Sequence, residues 1–358
     1  MVNTFEFIQT VVVSSRIRLA RNLSGFPFPK KMRDQHAAEV LHLVSEGLKT
    51  IDSDRYRRYD IGKLSNSEAS LLQEQYLISE ALSHRLNSGA VFLSSDRAVS
   101  IMVNEEDHLR EQYICKGFDL YKAYERLSAL DDGLSGVLDF AYDQKLGYLT
   151  ACPSNLGTGM RASVMMFLPG LTQNGGLKRL LPELKRSGLT VRGAFGEGST
   201  SDGWVYQVSN ERTLGISEIE ILESVTATAN RLCDLEKQAR EDMLRRSALE
   251  LRDRCLRAFG TLTYCALLTE KELFSLLAEV RLGVALGFLK TVGGEDFDEF
   301  YTDMQPATFK ISNHLERMSE RKCNEVRAET VRSILPQLVC VNKTEEEKSV
   351  LANGQGKK

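Results

Sequence analysis

The chain has no stretch of about 18 uninterrupted apolar residues, and its first ten residues lack the basic-then-apolar layout of a secretory signal. The first absence argues against a membrane-spanning helix, and the second leads us to expect a cytoplasmic protein. Charge of one sign is not in excess: the net charge is -3, so there is no overall basic field for nucleic acid or an anionic membrane. A C-x-x-C pair is also missing. The seven cysteines (Cys115, Cys152, Cys233, Cys255, Cys265, Cys323, Cys340) are odd in number and widely spaced, which argues against a zinc or dithiol redox site and leaves reduced thiols as the expectation. No internal repeat is evident. The G-x-x-x-x-G-K-[ST] loop and the H-R-D and D-F-G elements are absent too, which argues against an ordinary hydroxyl kinase.

What is present is ordinary in bulk. A length of 358 residues, with 42% hydrophobic and 27% charged side chains, fits about two globular domains whose cores need no staples. Residues 36–51 place Val40, Leu43, Val44 and Leu48 at helical spacing. Residues 90–94, 98–104, 147–151, 189–195 and 204–209 read as extended. Strands this close in sequence predict an α+β layer domain with a largely antiparallel sheet. At Ser217 the texture changes. Ser217 to Glu220 is a capping-box pattern opening a stretch free of Gly and Pro until Gly260, read as one long helix or two stacked ones. A second box at Thr269 to Glu272 opens the apolar segment 273–289, so the C-terminal third is expected to be helical. The expected division is a catalytic domain over 1–235, a helical domain over 236–341 and a disordered tail over 342–358.

Two runs carry the chemistry. Asn104-Glu105-Glu106-Asp107-His108-Leu109-Arg110 joins an acidic cluster to an arginine. Cys152-Pro153-Ser154-Asn155-Leu156-Gly157-Thr158-Gly159-Met160-Arg161 joins a thiol, a glycine turn and another arginine. The combination points to phosphoryl transfer onto a guanidinium group. A guanidinium has no free lone pair until a carboxylate orients it and takes its proton, and a triphosphate needs cations around it. Glu105, Glu106 and Glu197 are candidate acids, and Arg16, Arg18, Arg110, Arg161 and Arg192 are candidate forked donors to phosphate oxygens. His108 reads as structural, bonding a neighbour within the acidic run. Gly157 and Gly159 read equally as plain turn residues or as points of close backbone approach to phosphate.

Ser14-Ser15-Arg16-Ile17-Arg18, the two runs above and Val208-Ser209-Asn210 together resemble the ATP:guanidino phosphotransferase (phosphagen kinase) family in order and spacing, over roughly residues 11–235. The resemblance implies an antiparallel sheet carrying ATP between arginines, with magnesium held mainly by the nucleotide. It implies nucleotide contacts from Ser14, Ser15, Arg16, Ile17, Arg18, Arg110, Arg161, Ala162, Ser163, Val164, Met165, Arg192, Gly193, Ala194, Phe195, Gly196 and Glu197. It makes Glu106 the guanidinium-orienting base, Glu197 the second carboxylate and Cys152 an electrostatic aid beside the guanidinium, not a covalent nucleophile. Thr200 stands where small-molecule arginine kinases carry their second carboxylate. Tyr76 falls where related enzymes have a histidine near the nucleotide, and it is given no role.

Only thirteen residues precede Ser14, whereas kinases of small guanidino compounds place a helical domain of about a hundred residues there. Residues 192–199 and 279–283 instead look like the bacterial protein arginine kinase branch. That likeness implies ATP-dependent transfer to arginine side chains in proteins. It implies as partners protein substrates with exposed arginine, an activator protein, a Clp protease system and a second copy of the chain as a homodimer. A free-arginine kinase and a non-catalytic protein-binding adaptor are the alternatives. An ADP-coupled assay separates the first, and the retained arginines and glutamates argue against the second. In that branch an Arg-Asp-x-x-Arg-Ala element binds phosphoarginine. Here the matching segment, Cys323 to Ala328, keeps only Arg327-Ala328. Weak binding is expected, recoverable by Cys323→Arg with Asn324→Asp.

Overall fold

A computed structural model describes residues 4–52, 55–193, 203–292 and 297–342, without the side chains of residues 4–6 and 9. Chain contacts divide it into two compact units. The first comprises residues 1–168, 175–199 and 205–235, and the second residues 169–174, 200–204 and 236–358.

The first unit is built on an eight-stranded sheet. Its strands are β1 (Val12–Arg21), β2 (Tyr56–Asp60), β3 (Ala90–Ser94), β4 (Val99–Val103), β5 (Leu109–Lys116), β8 (Met160–Phe167), β9 (Leu189–Gly193) and β10 (Val205–Asn210). Between β5 and β8 lies the small hairpin of β6 (Tyr142–Asp143) and β7 (Gly147–Tyr148). The order across the sheet is β2-β3-β4-β5-β1-β8-β10-β9, and every pairing is antiparallel. β3 and β4 are buried along their whole length, consistent with sequences that are apolar except for Ser94 and Ser100.

The helices of this unit are α1 (Thr4–Val11), α2 (Asp34–Ile51), α3 (Asn66–Glu74), α4 (Glu80–Ser83), α5 (Leu120–Ser135) and α7 (Gly176–Arg186), with α6 (Pro169–Gln173) belonging to the second unit. α2 buries Ala37, Val40, Leu41, Val44 and Leu48 along one stripe. The α3–α4 segment packs Leu72, Leu77, Ile78 and Leu82 onto Val91, Leu93 and Met102, covering the β3–β4 end of one sheet face. α5 packs against β1, β5 and β8. One face is therefore lined by helices under the central strands, while the other is covered at the β3–β4 end.

The long run α8 (Glu218–Tyr264) opens with the full capping box at Ser217 and Glu220 and breaks at Ser247, whose φ of -153° and ψ of 47° are not helical. This agrees with the reading of two stacked helices. The second unit packs α9 (Glu270–Ala285), α10 (Phe297–Asp303), α11 (Pro306–Ser312) and α12 (Glu320–Leu338) with the end of α8 around Leu262, Leu273, Leu277, Phe309 and Leu335. The short strands β11 (Leu289–Thr291) and β12 (Val339–Val341) pair beside it. Thr269 caps α9 through the backbone N–H of Glu272. Two extended readings need correction: 147–151 shortens to β7, and 189–195 is strand only through Gly193, with 194–195 outside the described residues. The tail from residue 343 also lies outside them.

Candidate active site

Residues directly opposite in an antiparallel pair share a face, and neighbours along a strand alternate. Arg18 stands opposite Gln112 on one side and Arg161 on the other, Arg16 opposite Ile114 and Ser163, and Ala20 opposite Arg110. Gln207 stands opposite both Met165 and Arg192. Arg110, Arg16, Arg18, Arg161 and Arg192 therefore share one face of the sheet. Ile17, Ala162 and Val164 alternate to the other face and are fully buried. Of the proposed nucleotide contacts, Ser14, Arg16, Arg18, Arg110, Arg161, Ser163, Met165 and Arg192 lie on the arginine face. Ser15, Ile17, Ala162, Val164 and Gly193 alternate away from it.

Burial, and then crowding of like charge, set the electrostatics. Burial, and then the charges of Arg110 and Arg161, lower the Arg16 guanidinium to about 9. Burial, and then Arg16, Arg110 and Arg161, push Arg18 well below its ordinary value. Arg161 is lowered by burial and by Arg192 and Arg110. The Nε atoms of Arg16 and Arg18 are buried and have no hydrogen-bond partner among the described residues. A set of forked donors with this excess of positive charge is suited to a polyphosphate. Gln112, which the sequence reading missed, orients the set: Arg16 Nη2 donates to its Oε1, and its Nε2 donates to the carbonyl of Tyr76. Its position two residues after Arg110 on the same strand was the available signal. Tyr76 holds a left-handed backbone at φ 58°, uncommon for a tyrosine, in the turn after α3.

The acidic run forms the β4–β5 turn, and the fold gives its members different surroundings. Asn104 enters with φ 61° and donates its side-chain amide to the carbonyls of Ala37 and Ser88. Glu105 is buried and accepts from the Ser79 hydroxyl and, at 2.6 Å, from Arg110 Nη1. Burial disfavours its charge, yet Arg110, Ser79 and a backbone N–H outweigh burial and hold it below the usual carboxylate value. Asp107 accepts from Asn22 Nδ2 and from the backbone N–H of Ala151, both at 2.6 Å. His108 is fully buried. Its Nδ1 accepts from Leu23 N–H at 3.0 Å, so its Nε2 is the protonated nitrogen facing the Pro27 carbonyl at 2.9 Å. Its partners lie outside the acidic run, unlike the neighbour expected from the sequence. Glu106 is exposed and has no side-chain hydrogen bond among the described residues. Partial burial, and then Asp107 and Glu105, raise its pKa.

The Asp107–Ala151 bond ties this turn to the second run. Cys152 is half-buried, with Sγ 3.0 Å from Ser154 Oγ. Gly157 (φ 110°) and Gly159 (φ 64°) are required by close packing. A Cβ at Gly157 would lie 2.3 Å from the Thr213 carbonyl, and one at Gly159 would lie 2.6 Å from both the Ala20 carbonyl and Arg21 Nη1. Arg161 Nε donates to Ser209 Oγ at 3.4 Å, and Asn210 clamps β8 by accepting from Ala162 N–H and donating to the Met160 carbonyl.

Ala194, Phe195, Gly196, Glu197 and Thr200 lie outside the described residues. No group of three or more His, Cys, Asp or Glu that could hold a metal occurs among the described residues, and no helix there is long and apolar enough to cross a membrane. In the second unit the 279–283 segment lies within α9, where Glu279 accepts from Arg254 Nε at 2.8 Å. Arg327 is fully buried over the Phe309 ring, and its Nη1 donates to Asn324 Oδ1 at 2.6 Å and to the Leu268 carbonyl at 3.0 Å. Cys323 is fully buried in the apolar cluster. The substitution Cys323→Arg, expected from the sequence to restore a site, would therefore place a second guanidinium in that core.

Comparison with known proteins follows the same division. The profile of the ATP:guanido phosphotransferase C-terminal catalytic domain matches residues 39–239, and that of the protein-arginine kinase McsB C-terminal domain matches residues 248–348. The protein-arginine kinase of Caldanaerobacter subterraneus subsp. tengcongensis is 41% identical over 308 residues, covering 85% of this chain and 91% of the relative. That of Symbiobacterium thermophilum is 40% identical over 329 residues, covering 91% and 92%. Among solved structures, the substrate-free duplicated taurocyamine kinase of Schistosoma mansoni superposes with a TM-score of 0.58 at 28% identity, over 66% of this chain and 35% of that one. The chain thus spans about a third of that duplicated enzyme. Lombricine kinase gives a TM-score of 0.57 at 26% identity, over 64% and 67%. With the arginine-lined antiparallel sheet, both profiles and these relatives, the chain belongs to the ATP:guanidino phosphotransferase family, among the protein-arginine kinases, and is an ATP-using guanidino phosphotransferase.

Proposed function

We propose that this enzyme transfers the γ-phosphoryl group of ATP to arginine side chains of protein substrates, with residues 1–235 as the catalytic domain and 236–341 as the helical one. Arg16, Arg18, Arg110, Arg161 and Arg192 grip the phosphates, and magnesium arrives on the nucleotide. Glu106 orients the acceptor guanidinium and takes the proton from the attacking nitrogen as the new N–P bond forms and the bond from Pγ to the ADP oxygen breaks. Glu197 is the second carboxylate, and Cys152 supports the guanidinium electrostatically.

The observation that carries the assignment of the base is the contrast within the acidic turn. Glu105, Asp107 and His108 are each held by named partners, whereas Glu106 is exposed with no side-chain hydrogen bond among the described residues and a raised pKa. The substrate class rests on the relatives named protein-arginine kinase, which this chain matches over most of its length and most of theirs. An exposed arginine on a protein, an activator protein, a Clp protease system, a second copy of the chain and a cytoplasmic location complete the proposal. The test is an ADP-coupled assay offering free arginine and an arginine-rich protein separately. Turnover should require the protein, and turnover with free arginine alone would make the chain a small-guanidino kinase.

A further inference from the structure

Arg21 ends β1 on the face opposite Arg16 and Arg18, and only 2% of it is exposed. It reaches three separate pieces of chain. Nε donates to Asp131 Oδ1 at 2.9 Å and Nη2 to Asp131 Oδ2 at 2.7 Å, fixing α5. Nη1 donates at 3.0 Å to the Ala20 carbonyl and at 3.0 Å to the Thr158 carbonyl. The guanidinium carbon sits 3.5 Å from the centre of the Tyr148 ring in β7, and Tyr148 in turn exchanges backbone bonds with Gly157.

Thr158 lies between Cys152 and Arg161. The contact is built tightly, since Gly159 can have no Cβ because Arg21 Nη1 and the Ala20 carbonyl occupy that space, and Ala20 N–H donates to the Gly159 carbonyl at 2.9 Å. One rigid planar group therefore sets the height of the 157–159 turn above β1 and α5.

We propose that Arg21 is a positioning residue for phosphoryl transfer: by bonding the Thr158 carbonyl while anchored on Asp131 and Tyr148, it sets the turn that joins the Cys152 loop to β8, where Arg161 sits on the arginine face. The proposal rests on the function assigned above. Lysine can keep one charged contact with Asp131 but cannot donate to Asp131 and Thr158 together in the same fixed fork.

The test compares Arg21→Lys and Tyr148→Leu with the wild-type chain. Each is assayed for thermal melting, kcat, KM for ATP, and the alkylation rate of Cys152 by iodoacetamide read by peptide mass mapping. Cys115, also half-buried, is the internal reference. In Arg21→Lys, kcat should fall about tenfold or more and KM for ATP change less than about threefold. Cys152 alkylation should change about threefold relative to Cys115. Tyr148→Leu, which removes the ring beneath the guanidinium together with its edge contacts to Phe140 and Tyr142, should shift Cys152 alkylation in the same direction by a smaller factor, and it serves if Arg21→Lys does not fold. Unchanged Cys152 alkylation in folded Arg21→Lys or Tyr148→Leu would overturn the proposal, as would kcat falling only in proportion to the unfolded fraction. The alkylation readout needs no turnover, so a wild-type chain inactive on arginine would count against the function and not against this contact.

Discussion

At the scale of residues, the acidic turn separates chemistry from support. Glu106→Gln should lower turnover by about 10² or more while ATP affinity stays within a few-fold, because the proton acceptor is lost and the arginine face is untouched. Steady-state kinetics with nucleotide titration checks this, and wild-type turnover would remove Glu106 from the mechanism. The pKa of Glu106 is raised by burial and by Asp107 and Glu105, so the rate should fall as pH drops through that raised value. Removing the Asp107 charge should move that acidic limb to lower pH, as a pH–rate profile of Asp107→Asn would show. Glu105 has the opposite sign. Its folded-state pKa is depressed, so its stabilisation is present above the unfolded value and is lost as pH falls through the folded one. Arg110→Lys and Arg161→Lys should each be strongly damaging in transfer assays, because a point ammonium cannot reproduce a two-pronged grip. Full-rate transfer by either would remove that side chain from the phosphate site.

At the scale of elements, the site depends on strand alternation and on two glycines. Gly159→Ala would force an L side chain into φ 64° and into contacts of 2.6 Å, so a loss of about 2 kcal/mol or more is expected, several degrees in melting temperature. A melting temperature equal to wild type would mean that the turn relaxes freely. How far these elements were legible follows from their surroundings. α2, β3 and β4 are readable because their apolar residues keep the helical period or form short, mostly apolar runs. β5 and β8 do not read as strands in the sequence, because Arg110, Gln112, Arg161 and Ser163 interrupt the apolar pattern where the site faces outward. The arginines themselves were legible, since they sit in short recognisable runs. The division of labour among Glu105, Glu106 and Asp107 was not. It is decided by Ser79, Asn22 and Ala151, each 26 or more residues away in sequence.

At the scale of the whole molecule, two units carry separate expectations. In the second, Asn324 supplies an amide oxygen to Arg327, and Cys323 is core. Cys323→Arg should therefore destabilise the chain by about 3 kcal/mol or more, the range for an uncompensated buried charge, which differential scanning calorimetry would register. A stability near wild type would show that α12 can turn this position outward. The first unit carries the central claim, that the arginine face and Glu106 together phosphorylate arginine in a protein. The most direct measurement is incubation with ATP and a mixed protein extract, followed by acid-lability assay and mass-spectrometric mapping, with Glu106→Gln run in parallel. Acid-labile phosphate on arginine side chains is expected from the wild type and should be nearly absent with Glu106→Gln. Acid-stable phosphate on serine, threonine or tyrosine, or equal labelling by both chains, would contradict it.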